Sequence, residues 1–200
     1  AEAAIATLEK AGWKIGDDGV REKIIQKNRT RLEFELLVPK APFLEETAAL
    51  LAGSWETIGV RVKIVAKDSA DIANEAIRSR NYQLFLFGNI LNNNPDIFSF
   101  WHSSQKFYPG QNLALYENKA VDKLLENIRQ NFDEQSRAED LKKAQRLIAE
   151  DYPAVFLYSP YYLYLTSKSL GGFAPSPLIT PADRFRGVEE WHLKTARVFK

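Results

Sequence analysis

Cysteine is absent from the 200 residues, which excludes disulfides, zinc-thiolate sites and thiol nucleophiles. Its absence is compatible with an oxidising compartment and does not demonstrate one. Methionine is absent too, even at the first position, and the chain opens on Ala1-Glu2-Ala3 with no charged-then-apolar leader. The expectation is an excised domain or a processed chain. Histidine occurs only at 102 and 192, too few for a His-rich metal site. No apolar run approaches the roughly 20 residues of a membrane-spanning helix. No phosphate loop, dinucleotide glycine pattern or G-x-S-x-G elbow occurs. The net charge is only +1, and the basic residues read as dispersed along the chain. Neither nucleic acid nor a membrane is favoured as a partner on that ground.

What remains is a composition of 45% hydrophobic and 26% charged residues, that of an ordinary globular domain with one sizeable core or two small ones. The most informative stretch is Tyr82 to Tyr116. It opens with Tyr82-Gln83-Leu84-Phe85-Leu86-Phe87, which reads as a mostly buried strand. Gly88 ends that run, and Asn89, Asn92, Asn93 and Asn94 follow before Pro95, a loop chemistry. Phe98, Phe100, Trp101, Phe107 and Tyr108 come next, and Asp96 is the only carboxylate of the stretch. Amides and aromatics behind a buried strand suit a wall for a neutral or polymeric ligand better than a catalytic centre.

Upstream, Glu2–Ala11 has a helical spacing of Ala4, Leu8 and Ala11, stopped by Gly12. Trp13–Arg21 reads as a Gly/Asp-rich turn region. Leu32–Val38 reads as a strand, Pro42–Ile58 as a helix with Pro42 in its first turn and Gly59 as its stop, and Val60–Ala66 as an alternating strand. A helix capped by Asp68 or Ser69 and carrying Ile72, Ala76 and Ile77 leads to the Tyr82 strand. Strand, helix, strand, helix, strand with short links is a βαβαβ unit with parallel strands, and ligands of such sheets gather beyond the carboxyl ends of the strands. The Asn-rich loop sits at one such end. Downstream, Asn118 caps a helix with Val121, Leu124, Leu125 and Ile128 in one stripe, and Asp133 caps a second with Leu141, Ala144 and Ile148 inward. Tyr152-Pro153 ends it. Ala154–Tyr158 and Tyr161–Thr166 read as two further strands, a Gly/Pro-rich connection follows, and Val188–Leu193 fits either a strand or a short helix.

The order of short motifs resembles a known family. Ala11-Gly12-Trp13 with Asp18-Gly19, Trp55 with Ile58-Gly59-Val60, Asn94-Pro95-Asp96, Asn112, Tyr116, Asn118, Val121-Asp122, Arg137, Ala144-Gln145 and Asp151-Tyr152-Pro153 with Phe156-Leu157-Tyr158 follow one another across nearly the whole chain. The progression is similar to the C-terminal half of the family 5 extracellular solute-binding proteins, the peptide- and nickel-binding components of ABC importers. The resemblance implies a type II periplasmic-binding-protein-like α/β lobe, with a mixed sheet flanked by helices. Residues 1–170 would form the C-terminal ligand-binding lobe, and 171–200 an irregular connection and tail returning toward a missing N-terminal lobe. It further implies an oligopeptide or other small solute as ligand, a membrane permease as partner, no cofactor, and an extracytoplasmic location, periplasmic or lipid-anchored at the cell surface. One departure stands out. Peptide binders of the family often place an Asp shortly after the Gly that ends the Tyr82 strand, where this chain has Leu91 or Asn92, neither able to neutralise an ammonium.

The candidate ligand-binding residues are therefore Asn89, Asn92, Asn93, Asn94, Asp96, Trp101, His102, Gln111 and Asn112. Each has a structural alternative. The asparagines also form turns, Asp96 also caps a helix, and Trp101 fits a core or a lobe interface. His102 fits a hydrogen-bonded surface position, and Asn112 fits a loop brace. Among the tyrosines 158, 161, 162 and 164, alternation along a strand favours packing, with Tyr162 and Tyr164 on one face. A carbohydrate-binding or sensory member of the same fold is the alternative function. A hydrolase using Asp96 with His102 is weaker, because Ser103 and Ser104 beside His102 are sequence neighbours only, which says little about triad geometry. The acidic pairs Asp17-Asp18, Glu45-Glu46 and Glu189-Glu190 read as turns or solvated faces. No enzyme is expected.

Overall fold

The computed structural model describes residues 1–89, 91, 96–161, 163–174, 176, 178 and 180–193. The central feature is a parallel sheet of β4 (Glu33–Pro39), β5 (Arg61–Lys67) and β6 (Leu84–Phe85) in the order β5-β4-β6. β4 lies in the middle, and its side chains alternate between two helical layers, as strand geometry requires. Leu36 and Val38 meet Ala48 and Leu44 of α2 (Pro42–Glu56). Leu37 meets Ile72 and Ala76 on the opposite face. Those two residues belong to the helix that starts as α3 (Ser69–Asp71) and continues as a wider π-helical stretch over Ile72–Arg78. The expected βαβαβ unit is thus present, with Pro42 at the start of α2 and Gly59 beyond its end at φ +82°.

A third layer is helical. Asn118 caps α5 (Lys119–Gln130) by accepting from the backbone N–H groups of Ala120 and Val121, and Asp133 caps α6 (Glu134–Asp151) by accepting from Ser136. Val121, Leu125 and Ile128 bury against Ala144 and Ile148, and Leu141 packs at the margin. The short α4 (Phe98–Trp101) closes that core with Ile97 and Tyr116.

Several expectations are corrected. The turn region after α1 (Glu2–Lys10) is an antiparallel meander of β1 (Lys14–Ile15), β2 (Arg21–Ile25) and β3 (Asn28–Arg31). Its two-residue turn, Gln26-Lys27, has positive φ at both positions (49° and 70°), a conformation that Asn-Gly usually supplies. The Tyr82–Phe87 strand shrinks to Leu84–Phe85, and Phe87 is exposed. No strand forms among the described residues of Ala154–Tyr158 and Tyr161–Thr166. Their backbone has no ladder partner, and alternation alone does not make a sheet. Val188–Leu193 is both things in turn, a 3-10 turn over Val188–Glu190 and then β8 (His192–Leu193), which pairs with β7 (Leu170–Gly171).

Two arginines, Arg21 buried and Arg80 half-buried, fasten the layers. Arg21 (3% exposed) donates from Nε to the Ile58 carbonyl at 2.8 Å and from Nη1 to that of Trp13 at 2.9 Å, tying the meander to the end of α2. Arg80 donates to the carbonyls of Lys106 (3.0 Å) and Gly110 (2.7 Å), holding the 106–110 loop to the end of the π-helical stretch.

Candidate functional site

The carboxyl ends of the parallel strands deliver Lys40, Asp68 and the Phe87-Gly88-Asn89 segment to one edge of the sheet. This is the edge at which strand order reverses, since β5 and β6 flank β4 on opposite sides. Lys40 Nζ donates to Asp68 at 3.1 Å, so the Asp68 carboxylate serves a surface ion pair and does not cap α3. Asn89 is exposed at the edge, whereas Asn92, Asn93 and Asn94 lie outside the described residues. Phe43 and Thr47 of α2 border the same edge. The Thr47 hydroxyl donates to the Phe43 carbonyl and lies 2.7 Å from the Tyr158 hydroxyl, which brings the 154–161 segment across the front of α2.

From there the chain runs antiparallel to α5. Asp96 accepts from Arg129 Nε (2.9 Å) and Nη2 (2.7 Å) near the end of that helix, and from Phe98 N at 3.0 Å. Partial burial pushes the Asp96 carboxyl up, but these hydrogen bonds outweigh it and hold the group below its usual range. The Arg129 guanidinium lies 3.7 Å from the Phe98 ring, and the His102 ring stacks on Phe98 at 4.1 Å. One helical turn back, His102 Nε2 faces Glu126 at 3.4 Å, and Asp122 accepts from the Ser103 hydroxyl at 2.6 Å. His102 Nδ1 accepts from Ser104 N at 3.1 Å. The imidazole thereby caps a single 3-10 turn, Ser103–Gln105. Trp101 is half-buried between Tyr116 and Phe156.

Asn112 is fully buried. Its Nδ2 donates to the carbonyls of His102 (3.2 Å) and Tyr116 (2.9 Å), and its Oδ1 accepts from Tyr116 N at 3.0 Å. Gln111 is exposed beside Gly110, the residue held by Arg80. The structure therefore separates the candidates. Asn89 stands at the carboxyl edge, while Asp96, Trp101 and His102 line the seam between α4 and α5. Gln111 and Asn112 lie at the far end of that seam, by the start of α5 and the amino end of the sheet.

Sequence reasoning missed Phe43, Thr47, Lys40 and Arg129. Only the position of α2 and β4 in a parallel unit points to the first three, and nothing local points to Arg129. Of the tyrosine cluster, Tyr162 lies outside the described residues and Tyr164 packs on Phe173 and Trp191. An apolar groove of about 520 Å³, lined by Leu8, Phe34, Trp55, Ile58 and Val60 among others, opens at the amino end of the sheet, away from this edge. Among the described residues no group of three His, Asp or Glu side chains could hold a metal ion, and no helix is long and apolar enough to cross a membrane.

A family model described as bacterial extracellular solute-binding proteins, family 5 Middle, matches residues 1–112. The chain is 30% identical over 181 residues to the probable D,D-dipeptide-binding periplasmic protein DdpA of Escherichia coli K12, an alignment covering 86% of this chain and 32% of that protein. The solved oligopeptide-binding protein AppA of Bacillus subtilis, in complex with a nonapeptide, shares the fold. Its TM-score is 0.75 at 24% identity, over 97% of this chain and 37% of that one. NikZ of Campylobacter jejuni, in complex with Ni(L-His), gives a TM-score of 0.71 at 27% identity over 95% and 38%. The chain spans 26–32% of the length of the curated relatives it matches.

Proposed function

We propose that this chain, which belongs to the family 5 bacterial extracellular solute-binding proteins, is one lobe of the substrate-binding component of an ABC importer. In this reading the parent protein captures an oligopeptide or similar solute between two lobes and presents it to a membrane permease. Residues 1–170 are the ligand-binding lobe, and 171–200 form the connection and tail toward the other lobe. The protein works outside the cytoplasm, periplasmic or lipid-anchored, and binds without turnover. Closure about the inter-lobe hinge converts binding into a shift between open and closed populations.

The observation that carries the reading is the carboxyl edge of the β5-β4-β6 sheet. It presents Asn89 to solvent and lies beside a segment whose apolar side chains remain uncovered. Tyr161, Leu163 and Leu165 are 94%, 83% and 92% exposed, while Tyr164 between them packs inward on Trp191. One bare face of alternate apolar residues is what a chain crossing to a second lobe presents when that lobe is absent. Of the sequence candidates, Asn89 and the asparagines 92, 93 and 94 are the proposed ligand contacts, with Trp101 at the margin. Asp96, His102 and Asn112 act by bracing the walls behind them. Gln111, exposed at the opposite end, contacts ligand only if the second lobe reaches it.

A second reading, a neutral oligosaccharide as ligand, is favoured by the pairing of the carboxylates near this edge. Asp68 is bound to Lys40 and Asp96 to Arg129, which sets two of the edge's carboxylates against cations of the chain beside its amides and aromatics, while Glu45, Glu46 and Asp71 stay exposed. Thermal denaturation of the full-length parent with panels of short peptides and of oligosaccharides tests both, because a ligand that binds only the folded state raises the melting temperature. A shift with peptides supports the importer reading. A shift with sugars alone keeps the fold and changes the substrate, and no shift with either refutes the site.

A further inference from the structure

We propose that the β2–β3 hairpin is an interfacial docking element that seats this protein on an anionic lipid surface. The basic residues of this stretch are close neighbours in the sequence, and the strand pairing sets them on one two-stranded ribbon. Residues 21–31 hold five basic side chains and one acid, a net of +4 in a chain whose total is +1. The ladder pairs Glu22 with Arg31, Lys23 with Thr30, Ile24 with Arg29 and Ile25 with Asn28, so the turn Gln26-Lys27 is the outermost point.

The acids are confined to the base. Asp18 bonds Arg31 and also Arg61 (3.1 Å), and Glu33 bonds Arg61 at 2.7 Å. Glu22 bonds Arg29 at 2.6 Å. Lys23 Nζ donates to the Ala11 carbonyl at 2.6 Å and has no acidic partner among the described residues. Lys27 has no ion-pair partner among the described residues, nor have Lys10 and Lys14 at the entry to the same meander. Arg29 is answered by Glu22, Arg31 by Asp18 and Glu33, and the buried Arg21 by Glu9, so the positive excess of the outer half rests on Lys23 and Lys27.

Apolar side chains occupy the same half. Ile24 is 67% exposed and Ile25 40%. Consecutive strand residues point to opposite faces, so Ile24 and Ile25 leave both sides of the ribbon bare. A rigid partner surface covers one side of a ribbon. A fluid interface covers both, and lipid headgroups supply the negative charge that Lys27 and Lys23 meet.

The test is co-sedimentation of the protein with vesicles of phosphatidylcholine alone and of a phosphatidylcholine–phosphatidylglycerol mixture, at low and high salt. Binding to the anionic vesicles, weakened by salt and absent from the neutral ones, is expected. Lys27→Glu should lower the partition coefficient by at least about fivefold, and the exposed double substitution Ile24→Ser/Ile25→Ser should lower it severalfold. Unchanged melting curves would show that both variants remain folded. Failure of the wild type to bind anionic vesicles at low salt overturns the proposal, as does equal binding by the variants. Binding of soluble polyglutamate that is sensitive to Lys27→Glu, without vesicle binding, would assign the hairpin to an acidic polypeptide and equally overturn it.

Discussion

Replacing Asn112 by alanine should destabilise the folded chain by about 3–5 kcal/mol and leave any ligand contact to other residues. The side chain is fully buried and satisfies three backbone groups, the carbonyls of His102 and Tyr116 and the N–H of Tyr116. Alanine supplies no partner to any of them. A buried backbone group left unsatisfied costs about 1–3 kcal/mol, and water entering the vacated space recovers part of the sum. For a chain of this size about 1 kcal/mol moves the melting temperature by 2–4 °C, so a fall of about 10 °C is expected. Asn112→Asp at neutral pH should be worse, because a carboxylate would face the two carbonyl oxygens that Nδ2 now serves. Urea and thermal unfolding of the three proteins give the comparison directly. If Asn112→Ala melts within about 2 °C of the wild type while the full-length parent loses ligand affinity, then the side chain contacts ligand and the bracing role is refuted.

Gly59→Ala should cost about 2 kcal/mol or more by urea unfolding, since the position has φ +82° and an added Cβ would lie 2.6 Å from Ile15 Cδ1 and 2.8 Å from Arg21 Cγ. Asp151 accepts from the Tyr116 hydroxyl (2.6 Å) and from Asn118 Nδ2 (2.8 Å), and these hydrogen bonds hold its carboxyl below the usual range. With the folded value depressed, its stabilisation is present above the unfolded value of about 3.9 and is lost as pH falls through the lower folded value. The gap in melting temperature between wild type and Asp151→Asn should therefore be widest near neutrality and close under acid; a constant gap would contradict this. Arg80→Met should loosen the 106–110 loop, seen as faster amide exchange at Lys106–Gly110 before any change in the β4 core, because only the guanidinium bonds both ends of that loop.

The elements that were legible in the sequence are those specified by neighbours. The caps Asn118 and Asp133 act within three residues, and the stripes of α5 and α6 repeat within one helix, so both helices are as expected. The β4-α2-β5 unit is legible for the same reason, with Pro42 and Gly59 marking the ends of α2. Where the outcome depends on distant partners, the sequence reading failed. Ala154–Thr166 alternates like a strand, but no ladder pairs with it among the described residues. The β2–β3 turn was hidden because Gln26-Lys27 carries no glycine, although its backbone is of the type glycine favours. The two arginine clamps reach carbonyls up to 37 residues away, and no local pattern announces them.

The candidate site shows the same division. Asn89 and Asn112 look alike as loop amides that follow a glycine, yet one is exposed at the carboxyl edge of the sheet and the other is sealed at the far end of α5. What separates them is the antiparallel run of 96–105 along α5, set by Arg129 on Asp96, Glu126 on His102 and Asp122 on Ser103. Each of these contacts joins residues 19 to 33 positions apart. Amide side chains therefore stand both at the proposed ligand wall and in a loop brace, and only the direction in which the intervening chain travels separates the two places. Moving Asp96 out of its pairing, by Arg129→Ala, should accordingly disturb the wall at the carboxyl edge without touching the brace at Asn112.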